Sequence, residues 1–184
     1  METPRLRLRE WRETDAQDLY ESACDPYIGP ACGWKPHRTE EDSRKVLTEI
    51  LMKPGNYAME LQETGKVIGS VSLHSYEAAT IPEMKPDERE LGYWVGRSWW
   101  EQGYATEASE ALLRRAFREE GVSAVWGTHF DGNNRSRHVM EKMGMTYCYS
   151  EYRIAPQLHD AFLCHVRRIS KEEWEQRHKT KKKA

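Results

Sequence analysis

Residues 90–108 constrain the fold of this chain more than any other stretch, because they combine a strand, a tight turn and the start of a long helix. In a strand, alternation places Glu90, Gly92, Trp94 and Gly96 on one face. Two glycines on that face predict a bulge or the close approach of a second group to the backbone. The small residues that open the helix leave its amide groups accessible, and a helix amino end attracts anions. The stretch therefore predicts a cradle of diphosphate size.

The same stretch fits neither of the familiar phosphate-binding loops. The patterns G-x-x-x-x-G-K-[ST] and G-x-G-x-x-G are both absent, which disfavours P-loop and Rossmann proteins. A single glycine before a helix is also compatible with a simple turn. The residues alone leave these two interpretations open.

Hydrophobic periodicity predicts a mixed α/β order of elements. Because several strands precede the first long central helix, the pattern differs from a simple βα alternation. We expect one domain over residues 1–178 and a basic, disordered tail at 179–184. The predicted strands are 5–9, 57–61, 67–73, 91–95, 122–130, 146–154 and 160–169, and the predicted helices are 16–23, 39–52, 104–119, 133–143 and a last one from 170.

Charge and composition exclude several classes of protein. The chain has 28 basic and 30 acidic residues, and without the four lysines of residues 179–184 the balance is 24 to 30. An acidic body repels nucleic acid and favours a cationic ligand such as an amine. No apolar run is long enough to span a bilayer, and no secretory signal opens the sequence, so we expect a cytoplasmic protein. The four cysteines form no C-x-x-C pair, so we expect free thiols and no metal site.

Two ordered motifs resemble those of the GNAT superfamily of N-acetyltransferases. Residues 100–108, Trp-Glu-Gln-Gly-Tyr-Ala-Thr-Glu-Ala, look like its acetyl-CoA motif, Q/R-x-x-G-x-G/A. Residues 133–145 are similar to N-x-x-S-x-x-V-x-E-K-x-G-F/M, a signature of the branch that contains bacterial ribosomal-protein N-terminal acetyltransferases. The resemblance covers residues 2–175.

This resemblance implies an α+β fold, with a central, mostly antiparallel, twisted sheet of about seven strands flanked by helices and splayed at the acetyl-CoA site. It implies acetyl-CoA as cosubstrate and the possibility of a homodimer. Backbone groups of Trp94, Val95 and Gly96 should pair with the pantetheine arm like an added strand. The residues expected to hold the diphosphate and the thioester end are Gln102, Gly103, Tyr104, Ala105, Thr106, Asn133 and Ser136.

The chain departs from the family pattern at two positions. Trp100 stands where the family has glutamine or arginine, so one polar contact to phosphate is missing. Met140 stands where many members place a tyrosine that protonates the leaving thiolate. A non-catalytic acyl-CoA-binding sensor or interaction module is therefore the alternative to an active enzyme.

For an active enzyme, the sequence offers candidates for each catalytic role. Glu90 is the predicted general base, although it could instead form a salt bridge to a neighbouring strand. Tyr147 and Tyr149 are candidate general acids, with packing in a strand as the alternative. Because no Ser/His/Asp arrangement is evident, we expect direct attack by the amine and a tetrahedral intermediate.

The acceptor pocket is the least determined part of the prediction. Tyr27 and Trp34 belong to the loop at 25–38, which should lie beside the splayed strands, and His74 is placed on the acceptor side. We expect a primary amine as acceptor, on a protein N-terminus or on a small molecule, and neither nucleic acid nor membrane as a partner.

Overall fold

The computed structural model describes residues 1–181, and one seven-stranded sheet organises them. The order is β1-β2-β3-β4-β5-β7-β6, and every neighbouring pair is antiparallel except β4 and β5. This confirms the predicted α+β fold. The strands are β1 (Leu6–Arg9), β2 (Asn56–Leu61), β3 (Val67–His74), β4 (Arg89–Val95), β5 (Ala124–Phe130), β6 (Thr146–Ala155) and β7 (Asp160–Ser170).

The helices agree with the predicted ones, with three differences. The segment predicted as one helix over 39–52 ends its α-helical part at Val46 and continues as a π-helical turn, Leu47–Leu51. The loop at 25–38 contains a short helix. The last helix extends into the predicted tail, of which residues 182–184 lie outside the described part. The helices are α1 (Ala16–Ala23), α2 (Ile28–Ala31), α3 (Glu40–Val46), α4 (Tyr104–Arg118), α5 (Asn134–Met143) and α6 (Lys171–Lys181).

The larger core lies between the sheet and α4. This helix turns one stripe inward, which includes Leu112, Leu113 and Phe117, and they pack with Leu91 and Val95 of β4. Fully burying a side chain of this kind contributes about 1.5–3 kcal/mol. A second cluster covers the opposite face beneath α1 and α3. Among residues 1–181, no helix has the length and apolar character needed to cross a membrane.

The sheet opens between its two parallel strands. β4 and β5 pair only from Arg89 to Leu91, opposite Val125 to Gly127. Beyond that point β4 stays with β3 as far as Val95, whereas β5 stays with β7 as far as Phe130. The two strands therefore separate towards their carboxyl ends, which confirms the splay.

A clamp of hydrogen bonds fixes the beginning of α4 to the amino-terminal segment. The Glu107 carboxylate accepts bonds from Thr3 Oγ1 (2.6 Å), the Arg5 backbone N–H (2.9 Å) and Arg5 Nε (2.7 Å). Arg5 also donates from Nη1 to the Gln102 carbonyl at 3.0 Å. Side chains of the amino-terminal segment thus hold the turn before α4 in place. The turn therefore does not depend on hydrogen bonds among its own N–H groups.

Replacing Glu107 with Gln should lower the free energy of unfolding at pH 7 by about 1.5–3 kcal/mol, the range for hydrogen bonds to a charged group. Partial burial raises the pKa of Glu107, but the bonds from Thr3 and Arg5 outweigh it and lower the pKa. The stabilisation is therefore complete above the usual glutamate pKa of about 4.3 and is lost as the pH falls through the lowered value.

Urea unfolding across this pH range measures the effect. The difference between wild type and Glu107→Gln should shrink in acid, while Glu119→Gln, at the exposed end of the same helix, should match wild type throughout. Equal stability of the two variants at pH 7 would contradict the clamp.

Candidate active site

A cavity of about 830 Å³ fills the opening between β4 and β5 and continues over the sheet face below α2. One end is lined by the start of α4 and by α5, and the other by β3, β4, β6 and the loop at 25–38. The cavity therefore joins the predicted coenzyme site to the predicted acceptor site.

The turn before α4 leaves a set of unsatisfied amide groups. Glu101 (φ 62°) and Gly103 (φ 85°) both adopt left-handed conformations, which are costly for glutamate and easy for glycine. Gly103 is the N-cap and has no side chain with which to cap the helix, so the first-turn N–H groups stay available. Of the predicted diphosphate residues, the cavity is lined by Gly103, Tyr104, Ala105 and Thr106.

Gln102 does not line this cavity. Its side-chain Nε2 donates to the Ser98 carbonyl at 3.0 Å, and its own carbonyl accepts from Arg5. Its side chain and carbonyl therefore brace the turn from outside, and the contact of the Gln102 backbone N–H with a diphosphate stays a prediction.

Trp100, the first departure from the family motif, has a structural role. Its indole Nε1 donates to the Val95 carbonyl at 2.7 Å and so ties the turn to the end of β4. The Arg135 guanidinium lies over the indole ring, 3.9 Å from its centroid, and Arg135 also lines the cavity. A cation from α5 thus stands near the position where the motif has a polar side chain. The sequence reasoning missed Arg135, although it lies inside the second motif.

The end of β4 directs backbone donors towards the opening, the last of them at Val95. The Gly96 N–H donates to the Ile68 carbonyl of β3 at 2.8 Å. Successive residues of a strand direct their N–H groups to opposite sides. The Trp94 N–H therefore also points towards β3, whereas the Val95 N–H points into the opening. Gly96 does not line the cavity. Of the three predicted backbone positions, Val95 has the geometry for an added strand.

Asn133 and Ser136 both line the cavity at the start of α5. Asn133 Oδ1 accepts from the Ser136 N–H at 3.2 Å and caps the helix, and Nδ2 donates to the Ala31 carbonyl at 3.4 Å. Ser136 Oγ lies 2.9 Å from the hydroxyl of Tyr93, another lining residue that the sequence reasoning missed as a functional group. Burial raises the pKa of Tyr93, so its hydroxyl stays protonated.

The structure does not bring Tyr147 or Tyr149 to this cavity. Both belong to β6, which is separated from the β4–β5 opening by β5 and β7. The Tyr149 hydroxyl donates to the Glu83 carboxylate. The pKa of Tyr149 is raised, mainly by burial and secondly by the neighbouring Glu83 carboxylate. Tyr147 is exposed and bonds to Ser150 at 2.9 Å. Met140 is buried in the main core.

A Ser/His/Asp chain, which the sequence did not reveal, forms elsewhere. Asp131 Oδ1 lies 2.9 Å from His165 Nε2, and His165 Nδ1 lies 2.7 Å from Ser150 Oγ. Ser150 and His165 border a separate cavity of about 300 Å³. Because Ser150 does not line the larger cavity, this chain does not serve the β4–β5 opening.

The acceptor end contains a buried carboxylate. Glu90 accepts from the Thr80 backbone N–H at 2.6 Å and from Thr80 Oγ1 at 2.8 Å. The predicted alternative was a salt bridge, and among residues 1–181 no cation pairs with Glu90. His74 lies opposite Glu90 in the strand register and also lines the cavity. Burial lowers the pKa of His74 despite the nearby Glu90 carboxylate, so His74 is neutral at pH 7.

The two predicted aromatic residues of the loop separate. Trp34 lines the cavity and packs edge-on against Trp94, with ring centroids 6.3 Å apart. Tyr27 is 61% exposed, does not line the cavity and lies beneath the Arg97 guanidinium. The structure therefore places Tyr27 away from the cavity, and its contact with an acceptor stays a prediction. Arg153 near the end of β6 also lines the acceptor end and was not among the predicted residues, because only its tertiary contact with Thr80 places it there.

The residues of the opening fit acetyl-CoA, with uncapped amides and Arg135 for phosphates and the Val95 N–H for the arm. Within residues 1–181, no group of three His, Cys, Asp or Glu side chains is arranged to hold a metal ion.

Similarity to known proteins agrees with this geometry. The chain is 23% identical to the uncharacterized N-acetyltransferase YoaA of Bacillus subtilis over 149 residues, which are 78% of this chain and 81% of YoaA. It is 30% identical to YdaF, a proposed ribosomal N-acetyltransferase of the same organism, over 44% of this chain and 40% of YdaF. A third relative, FsC-acetyl coenzyme A-N(2)-transacetylase of Aspergillus fumigatus, is 38% identical over 63 residues, and the match spans 34% of this chain and 27% of its length.

Solved structures show the same fold. The acetyltransferase (GNAT family) from Bacillus anthracis superposes with a TM-score of 0.81 at 24% identity, over 94% of this chain and 99% of that one. The acetyltransferase (GNAT) domain family matches residues 5–146. The chain belongs to the GNAT acetyltransferase family and is an acetyltransferase that uses acetyl-CoA.

Proposed function

We propose that the acetyl group passes directly from acetyl-CoA to a primary amine that enters from the sheet face carrying Glu90. The observation that carries this proposal is the common cavity, in which the uncapped start of α4, the Val95 N–H and the buried Glu90 carboxylate share one space. The first two suit an anionic coenzyme with an extended arm, and the third suits an amine.

The coenzyme is held mainly by the protein backbone in this proposal. The N–H groups of Tyr104, Ala105 and Thr106 bind the diphosphate, aided by the positive end of the helix dipole. Arg135 adds a charge-assisted contact that replaces the polar side chain missing at position 100. The Val95 N–H binds the arm or the thioester oxygen, where negative charge develops in the tetrahedral intermediate.

Glu90 accepts the proton of the attacking amine. An amine must be neutral to attack, and a carboxylate fixed by two hydrogen bonds from Thr80 is placed to take its proton directly or through one water. Neutral His74, across the strand pair from Glu90, is a second group able to accept a hydrogen bond from the amine.

The Ser136–Tyr93 hydroxyl pair takes the role that we first assigned to Tyr147 or Tyr149. In this proposal the Tyr93 hydroxyl, which lies 3.0 Å from the Ser136 carbonyl and 2.9 Å from Ser136 Oγ, directs its proton to Oγ. Ser136 then donates its own proton to the leaving sulfur, whose thiolate is a tolerable leaving group because the pKa of a thiol is near 8.5. This donor also weakens the case for a non-catalytic binding module, which rested on Met140.

Transfer is direct, without an acetylated enzyme. Cys32 and Cys164 are the thiols that line the cavity. Although Cys32 is open to the cavity, desolvation by the surrounding protein raises its thiol pKa to about 12, and burial also raises the pKa of Cys164. Both therefore remain protonated and are poor nucleophiles.

Ala105→Asp should weaken acetyl-CoA binding at least tenfold, because it puts a negative charge into the proposed diphosphate site. The fold should be retained, since Asp is favourable in the first turn of a helix. Calorimetric titration measures the affinity, with Ala105→Ser as the matched uncharged control. Unchanged affinity in Ala105→Asp would exclude this diphosphate site.

Glu90→Gln should reduce kcat by about a hundredfold if Glu90 is the general base, with unchanged affinity for acetyl-CoA. Release of CoA thiol with an amine acceptor measures the turnover. Glu77→Gln changes an exposed carboxylate of the neighbouring turn and should behave like wild type. Full activity of Glu90→Gln would remove Glu90 from the mechanism.

Ser136→Ala should lower kcat by about ten- to a hundredfold, since it removes the donor to the leaving sulfur. Tyr147→Phe should keep the wild-type rate, because that hydroxyl lies outside the cavity. Steady-state kinetics on both variants tests the assignment. A loss in Tyr147→Phe with full activity in Ser136→Ala would restore the original prediction and contradict this one.

A further inference from the structure

We propose that the acceptor carries a carboxylate a few bonds from its reacting amine, and that Arg153 recognises this carboxylate. The inference rests on the proposed amine acetylation and adds to it the chemical class of the acceptor. It comes from a positive side chain that shares the acceptor end of the cavity with Glu90.

A single hydroxyl joins the two charged groups. Thr80 Oγ1 donates to Glu90 Oε1 at 2.8 Å and accepts from Arg153 Nη1 at 2.9 Å. Both charged side chains are largely buried, with 17% of the Arg153 side chain exposed and 7% of Glu90. One cavity wall therefore offers an acceptor for an amine and a donor for an anion only a few ångströms apart.

Arg153 is held in position and keeps a donor to spare. Its Nε donates to Glu151 Oε1 at 2.7 Å, its Nη2 lies 2.6 Å from the same oxygen, and its Nη1 uses one N–H for Thr80. Each terminal guanidinium nitrogen carries two N–H groups, so the second one on Nη1 remains for a ligand. The contacts with Glu151 fix the planar group and reduce the entropy lost when a ligand binds.

The hydrogen-bonding groups of this wall suit a substrate with both signs. Glu151 occupies one edge of the Arg153 guanidinium, Glu90 has no cation of its own among residues 1–181, and His74 is neutral at pH 7. A simple amine would satisfy Glu90 alone. An amine with a neighbouring carboxylate satisfies Glu90 and the spare Arg153 donor together, and the low solvent exposure of both protein groups strengthens the two contacts.

Two sources supply this chemistry: the α-carboxylate of a free amino acid, and the side-chain carboxylate of a peptide that begins with Asp or Glu. The test compares each free amino acid with its amide, and an Asp-initiated peptide amide with its Asn-initiated counterpart. Thiol release from acetyl-CoA measures kcat/KM. Amidation makes an amine less basic and thus more often neutral, so a preference for the carboxylate has to come from recognition.

Wild type should prefer one kind of carboxylate acceptor to its amide by at least about tenfold, the loss expected for one charge-assisted hydrogen bond. Arg153→Met should lower kcat/KM for that acceptor by about ten- to a hundredfold and for the amide by less than about threefold. Arg153→Lys should recover part of the preference. Arg137→Met, on the exposed side of α5 and outside the larger cavity, should leave both rates unchanged.

Equal wild-type rates for acids and amides would overturn the carboxylate proposal and leave amine acetylation standing. An equal loss on both substrates in Arg153→Met and Arg153→Lys, with unchanged thermal stability and acetyl-CoA affinity, would also overturn it, because Arg153 would then only position Thr80 and Glu90. Absence of thiol release with every acceptor would contradict amine acetylation itself, and the carboxylate proposal with it.

Discussion

The site depends on the fact that β4 and β5 pair over only three residues and then separate. Peptide groups in a sheet interior need hydrogen-bond partners, and three paired residues at the start of these strands supply them. After Leu91 the strands separate, each held by its other neighbour, so the Val95 N–H faces an opening instead of a strand. The same divergence creates the space below α2 in which the acceptor end of the cavity lies. If β4 and β5 were paired along their whole length, the Val95 N–H would be occupied and the space below α2 would be closed.

The two ends of the cavity differ in the groups that line them, main-chain groups at one end and side chains at the other. At the proposed coenzyme end, main-chain groups do the binding, and Arg5, Glu107 and Trp100 hold these groups in position from outside. Such a site tolerates changes of side chain, which explains how Trp100 can replace a polar residue of the motif. In the proposed mechanism the acceptor end relies on the side chains of Glu90, His74 and Arg153, and selectivity for the acceptor is expected there.

Much of the fold could be predicted from sequence because the elements follow clear periodicities and caps. The tight turn at Gly103 was predictable as well, since backbone geometry there is encoded by local residues. Side chains joined through strand order were not predictable. Tyr147 and Tyr149 are candidates from the sequence, but both lie in the first half of β6, outside the cavity. Arg153 lies near the other end of the same strand, where its side chain reaches Thr80 and the acceptor end. Tyr27 and Trp34 belong to one loop, but α2 lies between them. Its packing directs the Trp34 side chain into the cavity and leaves Tyr27 outside.

Hydrogen–deuterium exchange with and without acetyl-CoA tests the central claim most directly, because the claim concerns backbone N–H groups. The account predicts that the coenzyme slows exchange at Val95 and at the first-turn amides Tyr104, Ala105 and Thr106, with no change in β2 (Asn56–Leu61). Saturating coenzyme that leaves exchange at Val95 and the start of α4 unaltered would contradict it.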